Sequence, residues 1–382
     1  MKFRPVLIPF LKRVGLWFAA LWIGGAAVAL FFTEDAFRAA GIGAMFAAGA
    51  IATTWLILLV AWFPLVLPGL ASARVASRQE FFVQSLGLIP YVFQQTEKGW
   101  TLVRKDDKSH SCWLYFVTPV ETDLAARLVR VWQAALNASI AAMVLSGSIA
   151  LVLLPFRAQD PFGLVAGFSL AFCGGNLVQF LSGIRKSGRT AGTVIRHLRA
   201  GDRLGQREMA WTMLNSAHAY GVRPRDIDLR WIGVAEDWLP EEPMNTIFRY
   251  HAVRFADDTE AVEKLQRHRA AIVECLEAHR ESLDDGYTET LLWYAAFLSE
   301  APEEAKAIGE MIARASLGEG PKKLLEARIA ALEGRTGDAK SLGEEVLAAY
   351  EAAGDATTFE RDGARRFLAS LTPPEGETES ED

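Results

Sequence analysis

Four stretches of this chain carry no Asp, Glu, Lys or Arg over a length that could cross a bilayer, and all four precede Arg185. They are Val14–Thr33, Ala39–Ala73, Val131–Phe156 and Pro161–Ile184, of 20, 35, 26 and 24 residues. After Arg185 the longest such run is Met209–Val222, 14 residues. A helix of about 20 apolar residues crosses the hydrocarbon core, where backbone groups must be paired within the segment. The pattern therefore predicts a membrane body, residues 1–184, with spans at about 14–33, 42–70, 131–156 and 161–184. Val14–Thr33 follows Lys12-Arg13 in the manner of a signal peptide, but its length and the three spans after it favour an anchored helix. Pro64 and Pro68 are predicted to bend or break the second span near its end, and its surplus length to tilt or unwind.

Between the second and third spans the pattern changes period. Leu88–Gln94, Gly99–Lys105 and Cys112–Thr118 have strand composition, and the polar piece Asp106–Ser111, which includes His110, separates the last two. A small antiparallel sheet is expected within 81–118. From Thr190 to Leu371 the pattern is helical, broken at Gly201-Asp202, Gly221–Asp226, Leu239–Pro243, Asp284–Gly286 and Gly318–Pro321. Leu298, Ala305, Lys306, Gly309, Glu310, Ile312 and Ala315 recur 34 residues later as Leu332, Ala339, Lys340, Gly343, Glu344, Val346 and Ala349. That is the period of a tetratricopeptide hairpin. Tyr250 and Ala261 relate to Tyr294 and Ala305 by 44, which suggests a third unit with an insertion. Stacked hairpins form a curved array that docks peptides or proteins, or serves as a structural cap. The acidic, proline-containing stretch 372–382 is expected to be disordered.

Charge adds orientation. Lys2, Arg4, Lys12 and Arg13 precede the first span, eight basic residues lie in 74–130, and Arg185, Lys186, Arg189, Arg196 and Arg199 follow the fourth span. The two intervening connections offer only Arg38 and Arg157. Positive residues mark the cytoplasmic side, so both termini, the β-rich connection and the tail are expected there, in a multi-pass protein of the cell (inner) membrane. Residues 1–184 hold 14 basic against 9 acidic side chains, and 185–382 hold 26 against 37. So acidic a tail excludes nucleic acid as its main partner. Cys112, Cys173 and Cys275 have neither metal-ligand nor redox spacing. The spans contain no ionisable Asp, Glu, Lys, Arg or His, which argues against a proton relay, a charged ion filter or a zinc site in the bilayer. Asn137 and Asn176 are their most polar side chains, read either as interhelical hydrogen-bonding groups or as contacts to a bound segment.

The layout resembles the site-2-protease family of membrane-embedded zinc metallopeptidases, in particular bacterial members with a tetratricopeptide-like extension. Tyr220-Gly221-Val222-Arg223-Pro224-Arg225-Asp226 resembles the Gly-Val-Arg-Pro-Arg-Asp turn such members carry after the last span. Gly175-Asn176-Leu177-Val178 is similar to the Asn-Leu-Leu-Pro start of the family's last core helix, and Ala135-Leu136-Asn137 to the end of its Gly-Gly-Pro-Leu-Ala-Asn motif. The resemblance spans about residues 40–350. It implies an α-helical membrane protein: four transmembrane helices with a small cytoplasmic β-rich insertion, then a cytoplasmic tetratricopeptide-like α-solenoid over 185–371. It departs from the family where zinc would bind. The family's HExxH is absent: Leu65, Val66 and Gly69 fall in the stretch that replaces it, and Ala191 stands near the position of the third ligand, an aspartate.

No cofactor or metal site and no catalytic residue is therefore expected. The resemblance implies a non-catalytic relative that holds a transmembrane client segment in the bilayer, with Asn137 and Asn176 as candidate groove contacts, and a cytoplasmic protein on the tail. Two other readings stay open. One is an active metallopeptidase with substitute ligands, and the other is a plain membrane-anchored assembly scaffold.

Overall fold

A computed structural model describes residues 19, 22, 23, 35–88, 91–96, 99–104, 114–158, 162–185, 189–242, 245–278, 286–312 and 318–371. Apart from Ala19, Trp22 and Ile23, the predicted first span lies outside them, as do His110 and the tail end 372–382. The chain is mostly helical with one small sheet. It divides into two compact units, residues 1–205 and 206–382.

In the first unit, helix α1 (Ala36–Arg78) is continuous for 43 residues. The predicted break at Pro64 and Pro68 does not occur. Each proline removes one N–H, a loss that a long helix with neighbours can absorb. Nor does the surplus length unwind. At 1.5 Å per residue the helix is about 64 Å long, roughly twice the hydrocarbon thickness. Its last turns run on as helix to the sheet.

Four antiparallel strands follow: β1 (Phe82–Leu88), β2 (Tyr91–Thr96), β3 (Gly99–Arg104) and β4 (Leu114–Val117), in the order β3-β2-β1-β4. The expected strand 88–94 is instead the junction of β1 and β2, where Leu88 pairs with Tyr91. Leu86 to Val92 carries no polar residue, so periodicity does not separate the two strands.

Helix α2 (Leu124–Leu153) and helix α3 (Phe162–Gly183) pack against each other and against α1. Their apolar stretches, Leu124–Phe156 and Gly163–Gly183, are the two among the described residues that are long and apolar enough to cross a membrane. Val144, Leu145, Leu151, Val152, Leu164 and Val178 stand exposed on them. The close approaches between these helices are at Gly147, where an added Cβ would lie 3.3 Å from Cys173 Sγ, and Gly183, 2.8 Å from Leu136. A Cβ at Gly163 would instead strike the Arg157 carbonyl, and one at Gly167 would enter open space. Helix α4 (Ala191–Ala200) packs on α2, with Arg199 Nη2 donating to Gln133 Oε1 at 3.2 Å. The first unit therefore extends beyond Arg185.

Arg127 joins these pieces. Its Nε donates to the Gln79 carbonyl at 2.8 Å, Nη1 to the Val120 carbonyl at 2.7 Å and Nη2 to Thr118 Oγ1 at 3.0 Å. The guanidinium also lies 4.5 Å from the Phe81 ring centre. One buried side chain thus ties the end of α1 and the exit of β4 to the start of α2.

The second unit holds the remaining helices: α5 (Arg203–Ala219), whose first residues precede the unit boundary, α6 (Leu229–Trp238), α7 (Thr246–Asp258), α8 (Val262–Ala278), α9 (Gly286–Phe297), α10 (Pro302–Ile312), α11 (Glu319–Leu332), α12 (Thr336–Ala353) and α13 (Thr358–Ser370). From α6 onward consecutive helices pair, and α7, α9 and α11 pack side by side. Several of the described residues of the 34-residue match hold equivalent places. Ala305 and Ala339 are both fully buried, as nearly are Ile312 and Val346. A Cβ at Gly309 would meet Leu325 of the next helix, and one at Gly343 would meet Leu368 of the next. Tyr250 and Tyr294 are likewise both buried.

Candidate functional site

The residues at the resembled zinc positions lie in different surroundings. Val66 and Gly69 are one turn apart on α1. Val66 is 3% exposed and packs with Leu86, Phe93 and Leu114 of the sheet. Leu65 lies in the same turn of α1, but its side chain is outside the described ones. Ala191 is the first residue of α4, behind the capping box of Thr190 and Thr193. A Cβ on the adjacent Gly192 would come within 3.0 Å of Ile184 Cα, so the chain doubles tightly back on the end of α3 there. Among the described residues no group of three or more His, Cys, Asp or Glu side chains could hold a metal ion.

Asn137 and Asn176 are not brought together. Asn137 is exposed on α2. Asn176 is fully buried on α3, where Nδ2 donates to the Phe172 carbonyl at 2.9 Å and Oδ1 has no hydrogen-bond partner among the described residues. The packing of Gly183 on Leu136 and of Gly147 on Cys173 sets the antiparallel register of the two helices. By that register Asn176 lies about two helical turns from the level of Asn137.

The motif Gly221–Asp226 is a built corner. Gly221 takes φ +64, which ends α5 as a left-handed residue that glycine adopts without strain. Pro224 opens a short 3₁₀ turn, Pro224–Asp226. This geometry sends Arg223 and Arg225 to one carboxylate, Asp258, at the end of α7. Arg223 Nη2 is 2.7 Å and Arg225 Nη2 2.8 Å from Asp258 Oδ1, while the Arg225 amide donates to Oδ2 at 3.0 Å. Burial opposes the charge on Asp258, but the two guanidiniums and the amide override it and hold the carboxyl well below its usual range.

The corner leads to a cavity of about 250 Å³ whose walls come from α7, α9, α11, α12 and α13. Trp293 and Phe297 stack in it with ring centres 4.6 Å apart, one turn apart on α9. Trp293 Nε1 donates to the Pro321 carbonyl at 2.7 Å, which fixes the indole. Tyr294 donates to Asp257 Oδ2 at 2.8 Å, and burial, reinforced by that carboxylate, raises its phenol well above the ordinary range. Arg254 and Arg366 supply positive charge, and each is paired: Arg254 Nη2 with Glu360 Oε1 at 2.9 Å, Arg366 Nη2 with Asp257 Oδ1 at 2.8 Å. The result is an aromatic pocket with charges matched in pairs around it. It suits an amphipathic peptide surface, with apolar groups entering and charged groups exchanging partners at the rim.

Sequence reasoning singled out Gly221–Asp226 and the 34-residue match, but not the pocket. Its aromatic residues read as ordinary helix-face core, and the helix that closes it comes about a hundred residues after α7. A visible signal was the pair Trp293 and Phe297 at i, i+4 on a helix that also carries Tyr294. Comparison with protein-family models, with curated proteins and with solved structures finds no match for this chain.

Proposed function

We propose that this is a multi-pass membrane protein of site-2-protease-like layout that lacks the zinc chemistry. In this reading both termini and the tail lie in the cytoplasm, and the tail is a tetratricopeptide-like solenoid that docks a protein partner. The observation that carries the docking role is the aromatic, charge-paired cavity on the side-by-side helices α7, α9 and α11. The equivalent burial of Ala305 with Ala339, and the way Gly309 and Gly343 each face the following helix, supports the repeat reading. The apolar, outward-facing side chains of α2 and α3 support membrane insertion. The exposed amide of Asn137 on α2 is available for a further contact, to a client segment within the bilayer. Val66, Gly69 and Ala191 offer no donor to a metal, which favours binding over hydrolysis.

The test uses the full chain in its own membrane, with a photo-crosslinking residue at Leu298 on the cavity wall. A defined cytoplasmic protein should be captured. Gly363 also lines the cavity, and a Cβ there would have its nearest neighbour at 3.9 Å, so Gly363→Phe should fill the space and abolish capture. Capture of the same protein at equal yield by the filled variant would refute this docking site.

A further inference from the structure

We infer that α13 is a displaceable occupant of the tail's docking face, and that the partner is an amphipathic helix carrying α13's own pattern. The inference rests on the docking role proposed above. The two sides of α13 are held differently. Ala364 and Phe367 are buried in a core with Leu324, Ala339 and Val346, and Leu368 packs against Gly343. The opposite side faces α7 and the corner before it, and is held there by charge. Glu360 pairs with Arg254 at 2.9 Å, Arg366 with Asp257 at 2.8 Å, and Asp362 with Arg223 at 2.8 Å. Phe359 completes this side, its ring centre 4.4 Å from the Arg254 guanidinium carbon.

Packing on this side is incomplete, because the cavity remains between α13 and the helices it covers. The pairs are also partly open to water: the Glu360, Asp362 and Arg366 side chains are 35%, 29% and 29% exposed. Such pairs are weak individually and are screened by salt. The link to α12 starts at Gly354, with φ +78, and runs through a short 3₁₀ turn, Gly354–Thr357. A helix that presented an aromatic residue, an acid next to it, a second acid, and then a base followed by an aromatic residue would satisfy Arg254, Arg223 and Asp257 as α13 does. The charge complementarity already used inside the chain thus specifies the partner.

The experiment uses the full chain in detergent micelles and a fluorescent synthetic peptide of residues 354–371 as the probe. Replacing Glu360, Asp362 and Arg366 together by Ala should loosen α13. Amide exchange over 358–366 should rise, and the peptide should bind about tenfold tighter than it binds the unmodified chain, because the competent state becomes more populated. A peptide with Phe359→Ala and Phe367→Ala should not bind. Unchanged exchange in α9 and α10 reports that the variant is folded; if it is not, Glu360→Gln alone is used, with a gain of about threefold. Equal peptide affinity for both chains, or unchanged exchange in α13, overturns the inference. Peptide binding without any partner captured at Leu298 would leave the latch standing and remove the docking role. A captured partner whose yield ignores the loosened latch would do the reverse.

Discussion

Arg223 reaches Asp258 across 35 positions of chain, with Nη2 2.7 Å from Oδ1 of a carboxylate whose side chain is wholly buried. Arg225 shares the same oxygen from the other side of Pro224. The Gly-Val-Arg-Pro-Arg-Asp run is thereby accounted for as a structural device: glycine turns the chain, proline sets the turn and two arginines grip one acid. Asp258→Ala should destabilise the tail by about 2–3 kcal/mol, the range for losing hydrogen bonds to a buried charge. Arg223→Ala should cost more than Arg225→Ala, since Arg223 is the less exposed and also holds Asp362. Urea unfolding of the three variants measures the order, and a larger loss for Arg225→Ala would contradict it.

Arg127 makes a second, independent prediction. Its guanidinium serves the Gln79 and Val120 carbonyls and the Thr118 hydroxyl from a buried position. Arg127→Leu would leave the Gln79 and Val120 carbonyls without this donor, while Thr118 keeps the Val120 amide, at about 3 kcal/mol. Arg127→Lys should recover little, because a single ammonium cannot span acceptors placed for a planar fork. The sensitive readout is proteolysis at 79–123, where the sheet joins α1 and α2. Near-complete protection of the lysine variant would show that charge alone suffices.

Different parts of the fold were legible in the sequence for different physical reasons. Charge-free runs mark α2 and α3 because lipid and buried helix contacts both exclude ionised groups. The 34-residue match is legible because Ala305 with Ala339, and Ile312 with Val346, fill equally buried positions that each demand a residue of similar size. Strand boundaries in 82–96 were hidden because Leu86 to Val92 carries no polar residue to separate the two strands. The proline break in α1 was over-read, since the penalty on one residue is small beside the cooperativity of a 43-residue helix. The pocket was illegible because its walls come from helices far apart in the chain, and pairs such as Arg254 with Glu360 leave no local pattern.

The paired glycines predict opposite signs. At Gly309 an added Cβ would lie 3.4 Å from Leu325, close to ordinary contact, whereas at Gly343 it would lie 2.7 Å from Leu368 and 3.4 Å from Phe367. Gly309→Ala should be neutral or stabilise the tail by up to about 1 kcal/mol through helix propensity. Gly343→Ala should destabilise by about 1 kcal/mol, as α13 is pushed off α12. Thermal unfolding of the two variants decides it. Equal gains at both sites would mean that α13 yields freely.

Metal content separates binding from hydrolysis. Val66 is buried among sheet side chains and Ala191 opens a helix behind its Thr190 cap, and neither side chain has a donor atom for a metal. The purified full chain should hold well under one zinc per molecule by mass spectrometry, and a chelator should leave its thermal unfolding unchanged. About one retained zinc, removed together with a peptide-cleaving activity, would restore the metallopeptidase reading.

Acid should loosen the tail in two separable steps. His251 is 3% exposed and its Nε2 has no hydrogen-bond partner among the described residues; burial, with lesser repulsion from His218 and Arg254, holds its pKa down at about 3. Burial, then Arg249, takes His268 down to about 4. In the unfolded chain both would titrate near 6.5. Between these values the unfolded state binds protons that the folded state refuses. Stability should therefore be flat above about pH 7 and fall below 6.5, by about 1.4 kcal/mol per pH unit for each histidine, until about pH 4 for His268 and 3 for His251. Asp258 acts lower: its folded pKa is depressed, so its contribution is present above the ordinary value of 3.8 and is lost as pH drops through and below it. Urea midpoints of the tail transition from pH 8 to 4 should thus bend near 6.5. A His251→Phe, His268→Leu double variant should remove most of that bend, with His218, whose pKa desolvation also lowers, keeping a share. If the bend survives both substitutions in full, the acid sensitivity resides in other groups.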